Sequence, residues 1–197
     1  MKFIGGHAAL DFVNTVGGWA GDSPIEDKLE HFGDLIRWAT SAQILGASDA
    51  SRLAILARRH RGQASQLIER ARALRRVLYR MFNCFLENEN PRQADLDILR
   101  KELRVAREHQ TLKATRRAFI WVWDTRPVLE SLLWRISQSA GDLLTSGQLA
   151  RLRRCAGETC RWMFLDTTRN HSRHWCDMKD CGNLAKVRRF RARQARR

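Results

Sequence analysis

Taken as a pattern of apolar and polar positions, the first 150 residues read as mainly helical, with one interruption. Between residues 66 and 88, Leu67, Ala71, Leu74, Leu78, Phe82 and Phe85 recur at spacings of three and four, which puts them on one face of a continuous helix. Asp34 can cap an earlier helix carrying Leu35, Ile36, Trp38 and Ala39, and Ser48 or Asp49 can cap the next, SRLAILARRH. Pro91 closes the following loop and leads into QADLDILRKELR. The pattern then changes: RRAFIWVWD is dense in aromatic and β-branched residues, which predicts a strand, paired as a hairpin with RVAREHQ. Helical spacing returns after Pro127 in VLESLLWRISQSAGDLLTS and breaks at Ser146 and Gly147.

Composition adds little to that picture until charge is mapped. The chain has an ordinary globular mixture, 44% hydrophobic and 29% charged, enough apolar residues for one core and a small appended module. No apolar run approaches the roughly 18 residues of a membrane span, and Asp11 interrupts the N-terminal segment where a signal peptide would continue. The expectation is a cytoplasmic protein with no membrane partner. Residues 151–197 hold 14 of the 36 Lys and Arg residues but four of the 21 acids, so the positive excess gathers in the last quarter. Such a concentration suits a polyanion, nucleic acid above all.

Four of the five cysteines also fall in that quarter. Cys155-x4-Cys160, fifteen intervening residues, then Cys176-x4-Cys181 forms two close thiol pairs able to converge on one tetrahedral ion. One structural Zn²⁺ per chain is expected, because a module this small buries too little apolar surface to fold without metal. Four thiolates leave no open coordination position, so the site is read as structural; His171 and His174 lie between the pairs and could replace a cysteine as ligands, but with the thiolate set complete and the loop basic they are read as facing solvent or phosphate. Cys84 lies in the long helix and is expected to be a buried, inert thiol. No P-loop, dinucleotide-binding glycine pattern, HExxH or GxSxG occurs, so the chain is not expected to be an enzyme.

After Cys181, GNLAKVRRFRARQARR predicts a helix starting at the metal. Leu184, Val187 and Phe190 recur every third residue and are expected to pack on the finger, with Lys186, Arg189, Arg193 and Arg197 towards the other side. Candidate nucleic-acid contacts are Arg169, Arg173, Lys186, Arg188, Arg189, Arg191 and Arg193.

The residues CxxxxC, MFLDTTRNHSRHWC and CGNLAKVRRFRAR together resemble the CGNR zinc finger. ALDFVNT and SAGDLLTS resemble the ABATE domain, which precedes that finger in bacterial proteins described as stress-induced transcription regulators. The resemblance implies that the four cysteines bind zinc and that the finger contacts DNA. It departs from the motif at Leu184, where the arginine of the family name is missing; Lys186 and Arg188 are the nearest basic residues. Gly182 and Asn183 match and are read as backbone geometry and capping.

The expected whole is mainly α: a helical N-terminal domain with a short β-hairpin over 1–150, then a treble-clef-like four-cysteine finger with a basic helix over 151–197. Asn14 and Thr15 close the apolar run LDFV and are the candidate effector pocket, against the alternative of a buried hydrogen-bonded pair. Trp121, Trp123 and Trp134 are assigned to the core. The leading functional expectation is a DNA-binding transcription regulator, with room for a homodimer and a small-molecule effector. An RNA-binding or ribosome-associated protein and a protein-interaction adaptor are the rivals.

Overall fold

The computed structural model describes residues 1–124 and 126–195. Seven helices, α1 Ala8–Val13, α2 Phe32–Ser41, α3 Ala47–Arg59, α4 Arg61–Leu86, α5 Gln93–Glu108, α6 Ser131–Thr145 and α7 Asn183–Gln194, alternate with three two-stranded antiparallel hairpins. These are β1 Val16–Ala20 with β2 Ser23–Asp27, β3 Gln110–Ala114 with β4 Phe119–Trp123, and β5 Leu152–Arg154 with β6 Met163–Leu165. The fold is mainly α, as the hydrophobic spacing predicts.

The 26-residue α4 is the spine, burying Leu67, Ala71, Leu74, Leu78 and Phe82 along the face read from sequence. Phe85 is the exception at 45% exposure, and Cys84 is half-buried rather than sealed in the core, because the last turn of α4 runs past its packing partners. Around α4 stand α5, α1, α2 and α3, with α6 packed on α5 and α1, and Trp19 of β1 stacks on Tyr79 at a centroid distance of 3.8 Å. Gly141 of SAGDLLTS sits where α6 meets α5: a Cβ there would lie 2.9 Å from Leu103 Cδ2.

Two elements differ from the sequence reading. RVARE belongs to the end of α5, so the first arm of the second hairpin is Gln110–Ala114. The hairpin β1–β2 was not legible at all, because VGGWAGDSPIED carries glycine and proline where a strand pattern needs alternation. The tryptophans also divide: Trp134 is buried and Trp123 half-buried, but Trp121 is 63% exposed, since β3–β4 projects beyond the helices.

The C-terminal module is built into the same core. Leu152, Met163, Phe164 and Leu165 join the apolar cluster of the helices, and the Leu165 N–H donates to the Gly5 carbonyl at 2.8 Å. Trp162 Nε1 donates to the Val16 carbonyl at 3.1 Å. Arg196 and Arg197, the latter expected on the basic side of the C-terminal helix, lie outside the described residues.

Candidate metal centre and basic helix

Cys155 directly follows β5 and Cys160 lies in the tight turn that returns the chain to β6. The turn is fixed by the Cys155 N–H donating to Trp162 O at 2.8 Å and by Cys160 N–H donating to Gly157 O at 3.2 Å. Arg161 takes the left-handed conformation, φ 51°, which reverses the chain after Cys160. A side chain at Gly157 would place its Cβ 3.1 Å from Cys160 Cβ, a crowded fit beside the sulfurs. Of the second pair, Cys176 precedes and Cys181 lies within a π-helical turn, Met178–Gly182, which feeds directly into α7. Cys155 and Cys176 are buried, while Cys160 and Cys181 are half-buried.

The four sulfurs all lie within 4.8 Å of one another. Cys176 Sγ stands 3.5 Å from Cys160 Sγ and 3.6 Å from Cys181 Sγ. A tetrahedral Zn²⁺ with Zn–S bonds of about 2.3 Å needs sulfurs about 3.8 Å apart, so the donor set suits one zinc ion. Thiols crowded this way oppose one another when they ionise. Contacts with Cys160 and Cys176, joined by N–H donation from Cys176 and Gly157, hold Cys155 far below the usual thiol range. The hydrogen bond to Cys155 in turn pushes Cys160 up to about 12, and hydrogen bonds with Cys155 and Cys160 raise Cys176 as well. A divalent cation removes that conflict and lets all four serve as thiolates. Zinc would act there as a structural clamp.

The surroundings sort the other predicted residues. Arg173 is not free for phosphate: its Nε donates to Trp175 O at 3.0 Å, a second N–H donates to Cys176 O, and its plane covers the Phe164 ring at 4.2 Å. It positions the second cysteine pair. Asp166 is buried and gathers the Thr168 hydroxyl at 2.6 Å, the Thr168 N–H at 2.9 Å and the Arg173 N–H at 2.9 Å. That hydroxyl bond, with the two N–H groups, holds its carboxyl at about 2 and pins the loop between the pairs. Sequence reading missed Asp166, although an acid inside a basic, turn-rich loop is a signal for this kind of anchor.

Arg169, Lys186, Arg189, Arg191 and Arg193 are exposed, and α7 buries no residue. Arg188 is exposed but engaged with Glu158 of the knuckle at 2.9 Å. Leu184, Val187 and Phe190 are 59%, 46% and 61% exposed, so the finger does not bury them as the spacing predicts. Asn183 Nδ2 donates to Lys179 O at 3.0 Å, one turn back, and makes no side-chain cap at the start of α7, while Gly182 has ordinary helical backbone and is buried where a Cβ would lie 2.8 Å from Met178 Sδ.

Asn14 and Thr15 do not form an effector pocket. Asn14 exchanges two hydrogen bonds with the backbone of Met163, at 2.8 and 2.9 Å, and Thr15 donates to Phe12 O at 2.7 Å while accepting from Arg75 at 2.9 Å. Their polar groups are spent on the scaffold, with Asn14 stitching α1 to the finger strand. A cavity of about 760 Å³ lies elsewhere, between α2, α3 and α4, floored by Phe32, Ile36 and Ile68 with Arg58 and Arg61 at its exposed side.

No helix among the described residues is long and apolar enough to cross a membrane. No curated protein matches the chain at a significant level. Two family models do match: the CGNR zinc finger over residues 151–194, and ABATE, described as "Putative stress-induced transcription regulator", over residues 6–147. The second spans well over half of the sequence and the first contains all four sulfur donors. The chain therefore belongs to the ABATE family, with a CGNR zinc finger following the family domain.

Proposed function

We propose that this protein is a non-catalytic, stress-responsive transcription regulator of the bacterial cytoplasm whose zinc finger presents α7 to double-stranded DNA. The observation that carries the reading is α7 itself: Lys186, Arg189, Arg191 and Arg193 are exposed, no acid interrupts the helix, and none of its residues is buried. A free basic helix anchored at a metal can enter a major groove or follow phosphates. Arg169, on the exposed turn after Thr168, adds a further contact. Leu184 offers no charge where the motif arginine would stand, so Lys186 takes over that part of the phosphate track.

The test is salt dependence. Each lost phosphate contact flattens the slope of log affinity against log salt by about 0.9 for duplex DNA, so Arg189→Ala with Arg193→Ala flattens it by roughly two units with zinc retained. Binding weakens on every duplex tested. Unchanged affinity for DNA and RNA at several salt concentrations overturns the reading. The apolar stripe Leu184, Val187 and Phe190 would then favour an adaptor that docks α7 on a protein.

A further inference from the structure

The cavity between α2, α3 and α4 exists because the side chains around it are short. Ala54 and Ala57 line it from α3, Ala64 and Ser65 from α4, and none is long enough to close the gap. Its floor is apolar. Phe32 and Ile68 keep 4% exposure and Ile36 keeps 7%, whereas Leu35 and Leu74 in the core keep 0% and 1%. At about 760 Å³ the space is of a size that takes a small molecule.

Charge is divided along this space. Arg58, in the last turn of α3, and Arg61, the first residue of α4, stand on either side of the corner at His60. Both line the cavity, both are exposed, and among the described residues no carboxylate pairs with either guanidinium. Arg61, Ala64, Ser65 and Ile68 follow the spacing of one helix face and lead to Glu69, about 12 Å along α4 from Arg61. Arg72 already holds Glu69, and Glu30, just before α2, is the other acid of the lining. The space is thus a trough two helical turns long, cationic at one end, apolar along its floor and acidic at the other.

We propose that this trough binds a medium-chain fatty carboxylate, with its head between Arg58 and Arg61 and its chain over Phe32, Ile36 and Ile68. Two free guanidiniums beside an apolar floor match a carboxylate that carries a hydrocarbon body. A phosphodiester would use the cations and leave the floor wet. The acids at the far end disfavour a second negative charge there, so the ligand is a monoanion. Of its own residues α3 buries Leu53 alone, and the bound chain supplies cover that this helix lacks.

Calorimetric titration of the zinc-loaded full chain with octanoate tests this. One molecule per chain is expected to bind, and octanol, the same body without the charge, should bind about tenfold more weakly. Arg58→Gln with Arg61→Gln changes exposed side chains alone; it should weaken octanoate about tenfold and leave octanol unchanged. Ala57→Leu fills the space and should remove binding of both. Arg189→Ala with Arg193→Ala should bind octanoate as the wild type does, which sets the trough apart from the basic, partly apolar α7. No octanoate binding by the wild type, equal affinity for octanol, or undiminished octanoate binding in the Gln pair or in folded Ala57→Leu each overturns the proposal. So does a Gln pair that loses affinity for duplex DNA and none for octanoate, which would make the corner a phosphate contact. If Ala57→Leu fails to fold by circular dichroism, the Gln pair decides.

Discussion

Gly18 ties the metal site to the helical body more tightly than any side chain does. A Cβ at this position would lie 1.9 Å from the Thr159 carbonyl oxygen, and the neighbouring Trp19 N–H donates to Cys160 O at 3.2 Å. The knuckle that carries Cys160 rests directly on β1. Gly18→Ala is therefore expected to destabilise the protein by about 3 kcal/mol and to weaken zinc retention in a chelator competition, since backbone must move. Gly147→Ala, whose Cβ would meet nothing within 4 Å, should leave both unchanged. Arg75 is the electrostatic counterpart. Its fully buried guanidinium bonds the Thr15 carbonyl at 3.1 Å and forms a two-pronged pair with Asp27. Burial pushes the Asp27 carboxyl up, but hydrogen bonds from Arg75 and Leu29 and the charges of Arg75 and Arg72 outweigh it, so the pKa ends below the ordinary value. A depressed carboxylate stabilises the fold above its unfolded-state pKa and loses that contribution as pH falls through the native one. Arg75→Met should cost about 2–3 kcal/mol near neutral pH, less than stranding a fully buried charge because Asp27 keeps 25% side-chain exposure. In denaturant titrations across the acid range, the variant should show a shallower loss of stability than wild type; a parallel loss would mean that other carboxylates carry it.

At the scale of elements, legibility followed burial. The one-sided stripe of α4 and the cysteine spacing are patterns set by local physics, period and ligand number, and both reappear in the fold as read. Phe85 and Trp121 misled for one reason: their apolarity says that they avoid water, not which body covers them. The β1–β2 hairpin was hidden in part because one of its glycines, Gly18, answers to a surface far along the chain, at Thr159 and Cys160, which no local window contains. This contact also sets what metal removal does. Stripping zinc should abolish hydrogen-exchange protection at the knuckle and along α7, and should expose the Trp19 N–H, whose acceptor is Cys160 O. Met163 and Leu165 in β6 should stay protected, because Asn14 and Gly5 bond them independently of the ion. Full protection at Trp19 in the chelated protein would show that the knuckle keeps its shape without metal.

For the whole molecule, composition and motif suggest a division of the chain near residue 150. Packing crosses that line. Trp162, Met163, Phe164 and Leu165 are buried among residues of α1 and α4, and Lys2 reaches from the N-terminus to Asp177 at 3.1 Å beside the second cysteine pair. A fragment ending at residue 150 would uncover Leu10, Val13, Val16 and the Asn14 amide, an apolar face with an unsatisfied polar group at its centre. The zinc-loaded full chain is therefore expected to melt in one cooperative transition. The fragment should melt well below it and bind a hydrophobic dye, although every residue matched by the ABATE model is present. Asn14→Leu in the full chain separates the causes: it keeps the apolar cover but strands the Met163 N–H and carbonyl, which should cost about 1–3 kcal/mol. Two resolved transitions in the full chain, with the upper one unchanged in the fragment, would mean that the contacts across residue 150 are too weak to couple finger and helices, and a regulator built this way would have to carry signals between them through DNA or a second copy instead.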